Sequence, residues 1–80
     1  MNRYIATFHT HLSAMRTQRA LVGAGISALL APVPRYLSAS CGTCVRYEAK
    51  EDMRGCLDRD FDQLVQLSEN NGFQVLLKND

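Results

Sequence analysis

The stretch AKEDMRGCLDRDFDQLVQLSENNG, Ala49–Gly72, decides how this chain folds. Leu57, Phe61, Leu64, Val65 and Ser68 recur at spacings of three and four, and Met53 extends that face by one turn. Asp52 stands where a helix N-cap belongs, with Glu51 beside it, and Asn71-Gly72 supplies a stop. The spacing predicts a long helix between these two signals.

Working outward, Tyr4-Ile5-Ala6-Thr7-Phe8 is short, β-branched and aromatic, which predicts a first strand. Thr10 then caps a helix from His11 to about Gly23, with Ala14, Met15, Leu21 and Val22 sharing its apolar face. Gly23 and Gly25 end it, one of them in the left-handed conformation. Ile26 to Val33 is an apolar run of strand length closed by Pro32 and Pro34. Val45 and Tyr47 alternate with Cys44, Arg46 and Glu48, as in a strand with one face buried. Phe73–Leu77 forms a last strand, and Lys78–Asp80 is expected to fray. The resulting order, βαββαβ, predicts an α+β ferredoxin-like domain over residues 1–80, with a four-stranded antiparallel sheet and two helices on one face.

Nine basic residues against eight acidic ones leave a net charge of +1, so no strong pull toward nucleic acid or membrane is expected. Tyr4, Tyr47 and Phe73 do not form the strand motifs of an RNA-binding sheet. The run ALVGAGISALLAPV, Ala20–Val33, follows basic residues as a signal peptide would. It lies far inside the chain, is interrupted by Ser27, and falls short of the about 20 residues a bilayer needs. The segment LSASC imitates a lipoprotein box but puts Ser38 where an apolar residue belongs. Three cysteines cannot all pair within one chain, which points to a reducing, cytoplasmic setting with free thiols.

The chemistry concentrates in PVPRYLSASCGTCVRY, Pro32–Tyr47. A cysteine acts as a nucleophile through its thiolate, and a free thiol with a pKa of about 8.5 is mostly protonated at neutral pH. Arg35 and Arg46 bring positive charge near Cys41, Ser38 and Ser40 bring hydroxyl donors, and Gly42 lets backbone N–H groups curl toward an anion. Gly42 also leaves room for a group larger than a thiol. The same residues would serve any tight turn. Cys44 completes a Cys-Gly-Thr-Cys pair, which opens a thiol–disulfide or redox-sensing alternative in which Cys44 resolves an adduct on Cys41. His9 and His11 would bring the pair to four zinc ligands, but alternate residues of an extended chain point apart, so no metal and no cofactor is expected. Cys56 reads as a small core hydrophobe.

This loop resembles the selenium/sulfur carrier protein-like family, whose hallmark is a Pro-Arg-x-x-Ser-x-Ser-Cys-Gly segment. Pro34, Arg35, Ser38, Ser40, Cys41 and Gly42 match it in order, and TFHTHLSAMRTQRALVGAGI, Thr7–Ile26, resembles the family's first strand, helix and glycine stop. Ala39 stands where many members have a third serine, and Cys44 where a small non-thiol residue is expected. The resemblance implies a sulfur or selenium carrier rather than a self-sufficient enzyme. Cys41 would carry the persulfide or selenide; the loop's own composition sets Arg35, Ser38, Ser40 and Gly42 to stabilise that anion, and the Cys-Gly-Thr-Cys spacing, not the resemblance, makes Cys44 a second candidate reactive position. The resemblance also implies a donor of the cysteine desulfurase or selenocysteine lyase type and an acceptor protein. A homodimer through an exposed sheet edge and a plain protein- or small-molecule-binding module are the other expectations to weigh.

Overall fold

The computed structural model describes residues 1–37, 39, 41–70 and 72–79. Its strands are β1 (Asn2–Phe8), β2 (Ala28–Pro32), β3 (Thr43–Ala49), β4 (Phe61–Leu67) and β5 (Phe73–Lys78). They form one five-stranded sheet in the order β2-β3-β1-β4-β5, antiparallel at every junction. A single α-helix, α1 (His11–Gly23), packs on the side of the sheet formed by β1, β2 and β3. No helix among the described residues is long and apolar enough to cross a membrane.

The expectation of four strands and two helices is therefore corrected to five strands and one helix. The correction falls in Ala49–Gly72. Met53 takes a left-handed conformation (φ 54°), which a continuing helix cannot accommodate. The Asp52 carboxylate accepts the Arg54 backbone N–H at 3.1 Å and pairs with its guanidinium at 2.6 Å, so this residue closes a turn instead of capping a long helix. Only a short 3-10 turn, Arg54–Cys56, follows before the chain extends into β4.

Central burial explains why a strand wins. Tyr4 to Phe8 is buried without interruption, so the backbone N–H and C=O groups of β1 need partners on both edges. β3 supplies one edge, and β4 supplies the other. Leu64 and Val65 are adjacent and fully buried, one on each face of the sheet. The helical spacing of Phe61, Leu64 and Val65 thus coincides with a strand buried on both sides, while Leu57 lies in the connection before it. Of the expected Asn71-Gly72 stop, Asn71 lies outside the described residues, and the Gly72 carbonyl accepts the Ser68 N–H at 2.9 Å in the connection between β4 and β5. The C-terminus is tied down as far as Asn79, whose amide donates to the Arg59 and Phe61 carbonyls at 3.1 and 3.0 Å.

Helix α1 begins and ends as its sequence predicts. The Thr10 hydroxyl accepts the Ser13 N–H at 3.2 Å, and Gly25 takes the left-handed conformation (φ 84°) while Ile26 N–H bonds back to Leu21. Its buried face is rotated from the expected one. Ser13, Ala14, Thr17 and Leu21 face the sheet, Met15 is half-buried, and Val22 is exposed. Small side chains let the helix lie close, and its polar members are satisfied. Ser13 donates to the Asp60 carboxylate at 2.8 Å, and Thr17 accepts the Asp58 N–H at 2.8 Å.

The two faces carry separate cores. Under α1, Ala6, Phe8, Val45 and Leu64 pack with Leu21, and the rings of Tyr4 and Tyr47 stack at 5.2 Å. On the opposite face, Ile5, Cys44 and Val65 are covered by Leu37 from the connection between β2 and β3.

Candidate functional site

The β2–β3 connection holds the cysteine singled out from the sequence. Its base is closed by the Val33 N–H and the Gly42 carbonyl at 3.1 Å. Within it, Leu37 N–H donates to the Pro34 carbonyl at 3.0 Å, which places Arg35 and Tyr36 at the corners of a β-turn. Leu37 then buries itself on the helix-free face, and the Tyr36 ring reaches Phe73 of β5 with centroids 5.3 Å apart. The Pro34–Leu37 turn thus lies back against the sheet instead of projecting from it.

Cys41 is half-buried and free, directly before the start of β3. Gly42 beside it is exposed, and a Cβ built there would meet no atom of the described residues beyond its chain neighbours within 4 Å. Gly42 is not among the residues with positive φ, so no left-handed turn calls for it. Arg35 is exposed at its turn corner, and Ser38 and Ser40 lie outside the described residues.

The first residue of α1 meets the first residue of β3. His11 Nδ1 and Thr43 Oγ1 lie 3.1 Å apart, which brings the N-terminus of α1 to the strand end that Cys41 precedes. Thr7 of β1 and Cys44 of β3 are register partners at this same end. The first turn of α1 is the positive end of its dipole, and the Asp60 carboxylate already faces it through Ser13 at 2.8 Å. His11 was legible as a candidate ligand, but its approach to Thr43 spans too much sequence for any local pattern to reveal. Among the described residues, no three His, Cys, Asp or Glu side chains gather as a metal site.

Cys44 differs from Cys41 in every physical respect. It is fully buried on the helix-free face, and its thiol points to the Pro32 carbonyl at 3.6 Å. Burial raises its thiol above the ordinary range, and the positive charge of Arg46 only partly offsets this. The alternation around Val45 and Tyr47 placed Cys44 on an open face. Leu37 instead covers that face, so both sides of β3 are buried at this point. Cys56 is half-buried against the core under α1, in keeping with a packing role.

The family model described as "Putative Se/S carrier protein-like" matches residues 3–75. No curated protein and no solved structure matches the chain.

Proposed function

The chain belongs to the Se/S carrier protein-like family, and on that premise we propose that Cys41 accepts a sulfur or selenium atom and hands it to an acceptor. The observation that carries this reading is the contrast between two nearby thiols. Cys41 is half-buried next to an exposed glycine, whereas Cys44 is buried under Leu37 with its thiol raised by burial. A carrier needs one accessible thiolate with room for a further atom.

In the sulfur case, the Cys41 thiolate attacks the terminal sulfur of a donor persulfide. The donor's S–S bond breaks, its cysteine leaves as thiolate, and a new S–S bond forms on Cys41, with no net oxidation. The donor is an enzyme of the cysteine desulfurase or selenocysteine lyase class. On the sequence of the loop, the persulfide anion is assigned to Arg35, to the loop N–H groups and to Ser38 and Ser40. Thiol–disulfide exchange through Cys44 would require that residue to leave its covered position first.

Intact mass after incubation with a desulfurase and its substrate tests the reading. One sulfur or selenium atom should be added to the wild-type chain and to Cys44→Ala, and to neither Cys41→Ala nor Cys41→Ser. Loss of two hydrogens that requires both cysteines would replace the carrier with a disulfide chemistry.

A further inference from the structure

The helix-free face holds a second feature that the sulfur loop does not use. Arg46 of β3 sits opposite Ile5, and Arg3 of β1 lies diagonally beside it on the same face. Both side chains are exposed. Arg3 makes a long bond to the Ser68 carbonyl, at 3.4 Å, and the one ion pair among the described residues joins Asp52 and Arg54 elsewhere. Glu48 is the register partner of Arg3 on this face, but among the described residues neither guanidinium forms an ion pair with it or with another carboxylate.

Two adjoining depressions share Arg3, Arg46 and Leu67 in their walls. The first, about 280 Å³, extends toward Ser27 and Leu29 of the β2 edge and includes Glu48. The second, about 410 Å³, extends toward Tyr36, Ser68 and Gly72 and has no carboxylate among its described lining residues. Its polar side chains are Arg3, Arg46, Tyr36 and Ser68, the last with its hydroxyl donated to the Asn70 side chain at 2.7 Å. Its floor is Leu67, next to the Tyr36–Phe73 ring pair. Concave volumes of this order, mostly apolar with a few converging polar groups, fit a small organic molecule rather than a macromolecular surface. Arginine pairs favour planar anionic oxygens, which they bind with paired N–H donors.

We propose that this groove binds a small organic anion, a carboxylate or phosphate head on an apolar or aromatic body. The head sits between Arg3 and Arg46 in the second depression, and the body lies along Leu67 toward Leu29. Glu48 borders the other depression and opposes a second negative charge there. Because Tyr36 belongs to the Cys41 loop, an occupied groove and that loop share a wall. The site itself does not depend on Cys41 being a carrier.

Titration followed by amide NMR tests this, using benzoate and phenyl phosphate as anionic probes and benzyl alcohol as the neutral control, on wild type and on Cys41→Ser. Both anions should shift the amides of Arg3, Arg46 and Leu67 with saturation at millimolar concentration. The neutral control should bind about tenfold more weakly, the loss expected when charge-assisted hydrogen bonds are removed. Arg46→Gln and Arg3→Gln, both exposed and thus compatible with folding, should each weaken anion binding about tenfold, and Glu48→Gln should strengthen it. Whichever of benzoate and phenyl phosphate binds more tightly identifies the head group. Equal binding of benzyl alcohol, unchanged affinity in both arginine variants, or shifts confined to other regions would overturn the proposal. So would binding of a glutamate-rich peptide where both small anions fail.

Discussion

The two faces of the sheet are built from the same strands yet closed in different ways. Under α1, a capped helix lays small residues close to the sheet, and Phe8, Leu21, Val45 and Leu64 have no exposed surface. On the other face the cover is a loop held by one buried leucine and one aromatic contact, and beside it two arginines stay open to solvent. The helix side is a core in the ordinary sense. The loop side is a thin cover over Cys44, with Cys41 at its end. The difference teaches where stability and reactivity are separated in a chain too small to build two full cores.

The largest expected effect lies on the helix side. Phe8→Ala should destabilise by about 3–5 kcal/mol, because a fully buried ring is lost and the β1–α1 contact cannot collapse around the gap. Urea denaturation measures it. A smaller loss than that of Leu37→Ala would reverse the ranking of the two faces.

Leu37→Ala should cost about 2 kcal/mol, at the low end for a buried leucine, since a loop relaxes into a cavity more easily than a helix does. Its more telling readout is Cys44. In the wild type, iodoacetamide should label Cys41 well before Cys44, and in Leu37→Ala the Cys44 rate should rise while that of Cys41 stays level. Equal labelling of both thiols in the wild type would mean that the loop does not seal this face.

The two faces should also separate on a pH axis. The Cys44 thiol is raised by burial, and the Tyr47 phenol is raised by burial and then by neighbouring Asp52, so both keep their protons in the folded chain where the unfolded chain loses them. The stability they provide is complete below the unfolded values and falls as pH rises above about 8.5 for the thiol and about 10 for the phenol. The slope should approach about 1.4 kcal/mol per pH unit for each group. Cys44→Ala should remove the earlier loss and Tyr47→Phe the later one, in denaturation curves taken across that range. Tyr47 also donates a hydrogen bond to the Asp52 carbonyl, so its phenylalanine variant starts from a lower baseline.

Much of the helix side was legible. The Thr10 cap, the left-handed Gly25 and the alternation of Val45 and Tyr47 are local signals, and each sits where its spacing put it. β4 was not legible, because Phe61, Leu64 and Val65 satisfy a helical period and a doubly buried strand equally well, and Leu57 before them extended the helical pattern. Gly55, the aspartates at 58 and 60, and Asn71-Gly72 were the available warnings, being residues that favour turns. At the site, Cys41 and Gly42 stood out through their neighbours in sequence. The His11–Thr43 and Tyr36–Phe73 contacts did not, since each joins residues far apart in the chain. The burial of Cys44 depends on where Leu37 folds, and no alternation within β3 contains that information.

The smallest effect on stability tests the weaker of the two loop anchors. Tyr36 and Phe73 are both partly exposed, so their tilted ring contact is worth about 0.5–1 kcal/mol, and Tyr36→Ala should lower stability by no more than that. Leu37 remains buried in this variant, so Cys44 should stay as slow to alkylate as in the wild type. The loop nevertheless loses its reach to β5, and amide hydrogen exchange at Arg35 and Leu37 should accelerate while that of α1 is unchanged. If Cys44 becomes reactive in Tyr36→Ala, the aromatic contact, and not the leucine, holds the cover in place. The thin face of the sheet would then be anchored at its far edge, next to the two arginines, and any ligand bound there would bear directly on how tightly the cysteine loop is closed.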